Sequence, residues 1–410
     1  MKKSTSLQQR RIVWARNMLL DIDLYAKAEI EILHHLTERG YEIFFISGHS
    51  KQRYKFKNSK IHLFSIPAGK NSIPLKLHLI FLFVQFFSFP IYLLKVKPNF
   101  VIVDWDSLYS LIPMLPFYRL MGVKVVLDVR TTQTPIKNLY QKVELRQYLL
   151  DLAFSISVCI AKKKLDGMTI ITDLMKKEVC NKFHIDPNWV GVWSSGVSAE
   201  HFRYEKHVHD GIELRGKLGL TNRFIIFYHG AFSQARGLMN AISAMLMVKD
   251  RYPTAVLFLL GTGSIQTVGD MRKAIQHNGL QDKVILHDAV DYAEVPKYIA
   301  MCDVGIVPLL DLPQWRNQCP LKLLEYLAMK KAVILTDIPC HREVVGNNKC
   351  GIYLSSASPA EIARSIAFAY DNKEKLKEWG AKGRVIVENK YTWEKIAENL
   401  EDYLRLIENR

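Results

Sequence analysis

The sequence predicts an α/β protein of two domains, each built on a parallel, doubly wound sheet. Apolar runs of about four to eight residues alternate with helix-length amphipathic segments, and these runs are apolar throughout, as in strands that are buried on both faces. Helices between such strands cover both faces of a parallel sheet. The length of 410 residues is enough to give each of two domains its own core.

The first half of the chain begins this alternation. Strands are predicted at residues 11–15 and 42–47, and a helix at 24–39 ends at Gly40, a residue type that commonly ends helices. The later elements of this half are strands at 100–104, 123–128 and 167–172, followed by an exit segment at 190–202.

The second half repeats the pattern. Its predicted strands are 224–230, 254–263 with a glycine turn, 283–290, 302–309 and 332–335, with a short helix at 295–301. The sequence Gly261-Thr262-Gly263 is weak as a dinucleotide fingerprint, and we interpret it mainly as turn chemistry.

The most informative stretch of the chain is residues 317–337. Pro320 suits the first turn of a helix, and Glu325 falls within the apolar stripe of that helix. Burying a carboxylate without a partner costs several kcal/mol, so Glu325 is expected to have a hydrogen-bonding partner, and a ligand would justify its position. The alternative is a partly exposed acid that pairs with Lys322 or Lys330.

This stretch resembles the signature of the retaining GT-B glycosyltransferases of family 4, also described as glycosyl transferases group 1. In that family the helix carries two glutamates eight positions apart, and the second holds the ribose hydroxyls of a nucleotide-sugar. Glu325 matches the second glutamate, whereas Asn317 stands at the position of the first. Asn can hydrogen-bond sugar hydroxyls but supplies no negative charge to an oxocarbenium-like transition state. The resemblance implies that Asn317 is a catalytic-site residue that contacts the donor sugar.

A second stretch, residues 224–238, resembles the family's diphosphate-binding loop. The family usually has Arg just after the first Gly of this loop and Lys just before the second. Here those glycines are Gly230 and Gly237, and the two positions hold Ala231 and Arg236, which still offers a bidentate fork to phosphate. The resemblance implies that the first amides of the Pro320 helix also hold the diphosphate. The predicted substrate-binding residues are Glu325, Arg236, Gly230, Gly237, Leu321, Lys322 and Val290.

In the first half, the candidate catalytic residues are Asp128 and Arg130. Many family members carry a His after the corresponding strand, and that position falls at Arg130 here. Asp128 or Arg130 is expected to line the cleft, and the alternative for Asp128 is a strand-end acid that caps the next loop.

Asp104-Trp105-Asp106 matches a DxD, the metal-chelating pair of the other glycosyltransferase fold. GT-B enzymes generally work without a metal, because cationic side chains and helix N-termini neutralise the leaving diphosphate. We therefore interpret this DxD as coincidental or acceptor-facing, and we expect neither a metal nor a cofactor.

The resemblance spans nearly the whole chain and implies the GT-B fold, two Rossmann-like domains that face each other across a cleft. The predicted domains are an acceptor-side domain at 1–205, a nucleotide-sugar-binding domain at 206–385, and a C-terminal helix at 386–410 that crosses back to the first domain.

The charge of the chain indicates an anionic partner. Lys and Arg number 56 against 40 Asp and Glu, a net charge of +16. No recognised nucleic-acid module is present, so nucleic acid is not expected. An anionic membrane is the other candidate, because the apolar stretch 79–94 is flanked by Lys76, Lys95 and Lys97. That stretch falls short of the roughly 20 residues of a membrane span, so it predicts either a buried helix or an interfacial one.

Six cysteines are scattered without a CxxC pair, so neither a zinc site nor a disulfide framework is indicated. No secretory signal is recognised before the first strand, and a reducing cytoplasm is the expected compartment, with a peripheral position at the inner face of the cell membrane as a further expectation.

The expected function is a retaining transfer of sugar from a nucleotide-sugar donor to a saccharide or lipid-linked acceptor, in cell-envelope polysaccharide or lipopolysaccharide synthesis. Two alternatives stay open. One is a nucleotide-sugar epimerase on the same fold. The other is a non-catalytic scaffold, which is motivated by Ala231 and Asn317.

Overall fold

The computed structural model describes residues 10–20, 26–49, 54–67, 74–131 and 145–410, without the side chains of 74–78 and 146–147. The chain divides into two compact units. The first comprises Met1–Ser194 and Trp393–Arg410, and the second comprises Ser195–Thr392.

Each unit contains one parallel sheet, as the sequence predicts. The strands of the first unit are β1 (Arg11–Leu19), β2 (Glu42–His49), β3 (Ile61–Pro67), β4 (Phe100–Val103), β5 (Lys124–Val129), β6 (Gly167–Ile170) and β7 (Val190–Val192). Those of the second are β8 (Phe224–Phe232), β9 (Ala255–Gly263), β10 (Val284–His287), β11 (Val304–Val307), β12 (Val333–Thr336) and β13 (Gly351–Leu354). The strand orders are β3-β2-β1-β4-β5-β6-β7 and β10-β9-β8-β11-β12-β13, so both units are doubly wound.

Helices connect most of these strands. They are α1 (Ala26–Glu38), α2 (Pro74–Val96), α3 (Ser107–Leu111), α4 (Leu115–Leu120), α5 (Leu145–Lys164), α6 (Asp173–Phe183), α7 (Tyr204–Lys217), α8 (Leu238–Val248), α9 (Ile265–His277), α10 (Val295–Met301), α11 (Pro313–Arg316), α12 (Leu321–Ala328), α13 (Pro339–Val345), α14 (Pro359–Asp371), α15 (Lys373–Lys390) and α16 (Trp393–Glu408).

The last helix, α16, belongs to the first unit. The hydroxyl of Tyr403 donates to the carbonyl of Trp189 at 2.5 Å and accepts from the amide of Met168 at 3.0 Å. A Cβ at Gly167 or Gly191 would lie within about 2.5 Å of the Tyr403 side chain. Glycine at these two sheet positions therefore makes room for α16.

In the second unit, the structure corrects the interpretation of residues 261–263 as a turn. They are the end of β9, where Gly230, Ala231 and Phe232 of β8 pair with them. A Cβ at Gly261 would lie 1.9 Å from the carbonyl oxygen of Gly230. The glycine is needed because the two strands approach closely, beside the loop that follows β8.

Helix α2 contains the apolar stretch that the sequence predicts as either a buried or an interfacial helix. Phe81, Phe89 and the polar Gln85 are fully buried, whereas Phe83 and Leu94 are 67% and 69% exposed. By length and composition alone, its residues Leu79–Val96 could cross a membrane, with a mean hydropathy of 2.0 and 33% of that window buried. The helix thus packs on the sheet with one side and has an apolar side that the described residues do not cover.

Candidate functional site

The predicted buried acid lies at the carboxyl end of the second sheet. Glu325 on α12 is 6% exposed, and its Oε2 lies 3.3 Å from Nε2 of His229 at the end of β8. Lys330 forms its ion pair with Glu205 instead, which removes one of the two partners in the alternative interpretation. Glu325 is therefore the buried acid that the helical spacing predicts, and not a partly exposed one.

The neighbour of Glu325 is a neutral imidazole. Burial, and after it the charge of Lys322, lowers the pKa of His229 to about 3. Since His229 is uncharged at pH 7, its contact with Glu325 is not an ion pair. His229 was not among the predicted site residues, although its position immediately before Gly230 places it at the strand end.

Lys322 lies at the glycine turn. Its Nζ is 3.5 Å from the place that a Cβ of Gly230 would occupy, and 4.9 Å from the centre of the Tyr228 ring. Burial lowers the pKa of Lys322 to about 7, the charge of Arg236 acts in the same direction, and Glu325 opposes both. Within the described residues, Lys322 has no ion-pair partner. The cationic group of the half-buried Lys322 side chain therefore lies beside Gly230, the residue that precedes Ala231.

Arg236 lies on the loop that follows β8 and approaches the Tyr228 ring. It ends a short 3₁₀ turn before Gly237, whose φ is 70° and whose Cβ would lie 2.0 Å from the carbonyl oxygen of Pro308. The guanidinium lies 5.2 Å from the centre of the Trp315 ring, and its charge acts on the hydroxyl of Tyr228, a phenol whose pKa burial raises to about 12. Arg236 and Lys322 therefore flank one tyrosine.

The start of α12 adds backbone donors to these two cations. The first amides of a helix have no acceptor within the helix and lie at the positive end of its dipole. Leu321 and Lys322 are the first two residues of α12. Two cations and a helix N-terminus together suit a polyanion such as a diphosphate.

The remaining predicted residues of this unit lie at different distances from that cluster. Asn317 follows α11, three residues before Pro320, and is half-buried. Val290 follows β10, an edge strand that β9 separates from β8. His341, which the sequence did not indicate, donates from Nδ1 to the carbonyl of Thr336 at 2.6 Å, and burial lowers its pKa to about 4 with a contribution from Lys322.

In the first unit, the structure brings the two candidate catalytic residues together through Trp193. Asp128 is fully buried and accepts hydrogen bonds from Arg16 at 2.8 Å, Thr169 at 2.7 Å and the Trp193 indole at 2.9 Å. The Arg130 guanidinium lies 3.5 Å from the centre of the Trp193 ring and donates to the carbonyl of that residue. This arrangement fixes side chains rather than capping a loop, and the catalytic role of both residues stays a prediction.

The DxD acids bind protein donors. Asp104 accepts from the amides of Asn17 at 2.7 Å and Ser107 at 2.9 Å, and Asp106 accepts from the side chain of Asn17 at 3.2 Å. Burial and the charge of Asp104 raise the pKa of Asp106 to about 8. Both acids have hydrogen-bond donors within the protein.

Comparisons with known proteins indicate a family for the region that contains the residues around Gly230. Residues 210–386 match the family described as glycosyl transferases group 1. The chain is 29% identical over 177 residues to the putative teichuronic acid biosynthesis glycosyltransferase TuaH of Bacillus subtilis, which covers 43% of this chain and 42% of that protein. It is 25% identical over 212 residues to the GDP-mannose-dependent alpha-(1-6)-phosphatidylinositol monomannoside mannosyltransferase of Mycobacterium tuberculosis, covering 51% and 54%. The chain spans about half the length of these curated relatives.

Solved structures resemble nearly the whole chain. Sucrose-phosphate synthase from Thermosynechococcus elongatus has a TM-score of 0.77 at 15% identity, with 97% of this chain and 99% of that chain covered. Anabaena Alr3699/HepE in complex with UDP-glucose has a TM-score of 0.69 at 13% identity, with 97% and 99% covered. Such low identities show the fold alone. The match to the glycosyl transferases group 1 family lies within the second unit, and the fold of the chain is GT-B.

Proposed function

We propose that this protein is a glycosyltransferase that moves a sugar from a nucleotide-sugar donor to an acceptor with retention at the anomeric carbon. The observation that carries the proposal is the site around Gly230, where a buried carboxylate and two cations without acidic ion-pair partners among the described residues surround one strand end. The relatives named above include transferases that use a nucleotide-sugar, which supports the same reaction class.

Each residue of the site has a task in this reaction. Glu325 accepts hydrogen bonds from the ribose hydroxyls, and Asn317 contacts the donor sugar. Arg236, Lys322 and the first amides of α12 neutralise the diphosphate as the bond between it and the anomeric carbon breaks. The acceptor oxygen forms its new bond on the face that the diphosphate leaves, and its proton passes to the leaving phosphate oxygen. No metal is needed for charge neutralisation in this scheme.

The proposed acceptor is a saccharide or a lipid-linked saccharide of cell-envelope polysaccharide or lipopolysaccharide synthesis. The names of two relatives refer to teichuronic acid biosynthesis and to a phosphatidylinositol monomannoside, which supports an envelope acceptor. These names describe the relatives, and the acceptor of this chain follows from them only by similarity.

The test begins with a thermal-shift screen of UDP-, GDP-, ADP- and dTDP-sugars. A donor that binds is then incubated with the purified protein in excess chelator, with and without envelope saccharides. We expect donor turnover, and an anomeric proton coupling in the product that matches the donor's configuration. Formation of an epimer without acceptor would indicate the epimerase alternative. Binding with neither hydrolysis nor transfer would indicate the scaffold alternative.

We also propose that the protein is cytoplasmic and binds the inner face of the membrane peripherally. The face of α2 that the described residues leave uncovered carries Phe83, Phe87 and Leu94. Lys95 lies in the last turn of α2, and Lys97 follows the helix. Apolar insertion and attraction to anionic headgroups act together in such interfacial helices. The net charge of +16 favours the same surface.

Sedimentation with vesicles tests this second proposal. We expect the protein to sediment with phosphatidylglycerol vesicles, to be released partly in high salt, and to remain in solution with neutral vesicles. Phe83→Ser/Phe87→Ser should weaken the association, whereas Ile265→Ser, at an exposed position of the second unit, should not. A wild-type protein that ignores every vesicle would remove the membrane from the proposal.

A further inference from the structure

The first unit contains an apolar groove outside the predicted sites. It lies between the α3–α4 segment and α5 and has a volume of about 940 Å³. Leu115 and Leu120 line one wall, and Leu152, Ile156 and Ile160 line the other. Leu120 is 84% exposed, so the apolar wall is not covered by the described part of the chain. Sites for small ligands have volumes of roughly 300 to 1,000 Å³ and are mostly apolar, as this groove is.

Three cations belong to the same groove. Lys163 and Lys164 end α5, and Arg119 on α4 donates from Nη2 to the carbonyl oxygen of Lys164 at 3.2 Å. The Arg119 side chain therefore reaches from one wall to the end of the other. Among the described residues, none of the three has an acidic ion-pair partner, and no acid lines the groove. An apolar channel with cations grouped at one place suits a ligand with a hydrocarbon chain and an anionic head.

We propose that this groove binds one hydrocarbon chain of an anionic phospholipid, with the headgroup phosphate against Arg119, Lys163 and Lys164. The proposal deepens the membrane association proposed above and rests on it. The hydroxyl of Tyr118 donates to the carbonyl of Phe89 at 2.8 Å, so the segment that forms one wall is joined directly to α2. The groove thus lies next to the helix whose uncovered face is proposed to meet the bilayer, and a single lipid can enter it from that surface.

Lysophosphatidylglycerol below its micelle concentration is the probe, because it presents one chain and one phosphate without a bilayer. Isothermal titration of the full chain should give saturable binding of one lipid per protein. Leu152→Gln/Ile156→Gln should weaken this binding at least about tenfold, as should Lys163→Gln/Lys164→Gln, which changes exposed residues at a helix end. Phe83→Ser/Phe87→Ser is the matched control, since it alters the exposed face of α2 and leaves the groove intact. We expect this variant to lose vesicle association and keep the lysolipid site.

Three results would overturn the groove as a lipid site. The first is a wild-type protein that binds no lysophosphatidylglycerol stoichiometrically. The second is an equal loss in the α2 variant, which would indicate general adsorption to apolar surface. The third is a wild-type dimer that Ile156→Gln converts to monomers, which would identify the groove as a subunit interface. Nucleotide-sugar binding is measured in parallel, and its absence would contradict the transferase proposal without changing the lipid result.

Discussion

The two units treat their charged side chains differently. In the second unit, Lys322 and Arg236 lie at a strand end without an acidic ion-pair partner among the described residues. In the first unit, Arg16 is held between Glu29 and Asp128 at 2.8 Å from each, with all three buried. Glu29 and Asp128 thus have their counter-charge within the protein, whereas Lys322 and Arg236 have no ion-pair partner among the described residues.

This difference distinguishes charged side chains that stabilise the fold from charged side chains that can bind a ligand. A buried charge is stable only when it is paired and hydrogen-bonded, so a complete network such as that around Asp128 needs no ligand. Lys322 is half-buried, has no acidic ion-pair partner among the described residues and has a pKa lowered to about 7. These features indicate a site for an anionic ligand. This comparison supports the proposal that the donor binds to the second unit, and the following substitutions test that proposal.

The largest effect is expected at Glu325. If its carboxylate holds two ribose hydroxyls, Glu325→Ala should weaken nucleotide binding by roughly 1.5 to 3 kcal/mol, or about 10- to 150-fold, in a protein that still folds. Isothermal titration with the nucleotide diphosphate selected in the donor screen measures this loss. Glu325→Gln keeps hydrogen bonding and should lose less. A folded Glu325→Ala variant with wild-type affinity would end this assignment.

Lys322 should make donor binding depend on pH. Its folded pKa of about 7 lies below the ordinary value of 10.5, so the free protein loses this ammonium as the pH rises above 7. A diphosphate binds the charged form, so affinity should fall by up to about tenfold per pH unit between pH 7.5 and 9, where the phosphate ionisation is nearly complete. Lys322→Arg should flatten this dependence, because the guanidinium stays charged.

Placing an arginine at position 231, where the family usually has one, extends this test of Lys322. Lys322→Met should weaken diphosphate binding by about 1.5 to 2 kcal/mol, and adding Ala231→Arg should recover part of the loss. Lys330→Met, which removes an exposed lysine paired to Glu205, is the control and should leave affinity unchanged. An affinity that is independent of both pH and Lys322 would show that this lysine only fills space above Tyr228.

Arg236 is expected to contribute more to the binding of a nucleoside diphosphate than to that of a monophosphate. Because its proposed role is to meet charge beyond the first phosphate, Arg236→Ala should cost about 1.5 kcal/mol for the nucleoside diphosphate and clearly less for the monophosphate. The two affinities are compared in wild type and variant at the same ionic strength. Equal losses would indicate that Arg236 supports the loop through Tyr228 and Trp315 instead.

The sequence predicted the fold mainly through the strands that are buried on both faces, and it missed two strands that are not, β3 and β13. β3 and β13 are edge strands. Residues of β3 alternate between buried and more exposed positions and end at Pro67, and β13 is largely half-exposed, so neither is an uninterrupted apolar run. Central strands such as β8 need apolar residues on both faces, which is why they are visible in the sequence.

The grouping of residues around Gly230, which we propose as the donor site, could be predicted for a related reason. Gly230, Arg236 and Glu325 lie in two short stretches whose local spacing carries the information. Trp193 bonds Asp128 across 65 positions, and His341 is near Lys322 only because two helices follow neighbouring strands. Such contacts depend on the tertiary structure, and no local pattern indicates them.

The smallest expected effect lies in the first unit and concerns stability. Because the pKa of Asp106 is raised to about 8 in the folded state, the fold binds this proton more tightly than the unfolded chain does. The proton's contribution to stability is therefore greatest at low pH and declines between about pH 4 and 8. Asp106→Asn mimics the protonated acid and can still accept from Asn17. Urea unfolding should thus show that the Asp106→Asn variant is more stable than wild type by roughly 1 kcal/mol at pH 8.5, and by less at pH 5.5.

Asp104→Asn is the contrasting variant, because it weakens two backbone hydrogen bonds and should destabilise the protein at both pH values. If Asp106→Asn instead destabilises most at pH 8.5, the carboxylate is ionised and functional, and the first unit would resemble the second in awaiting a ligand.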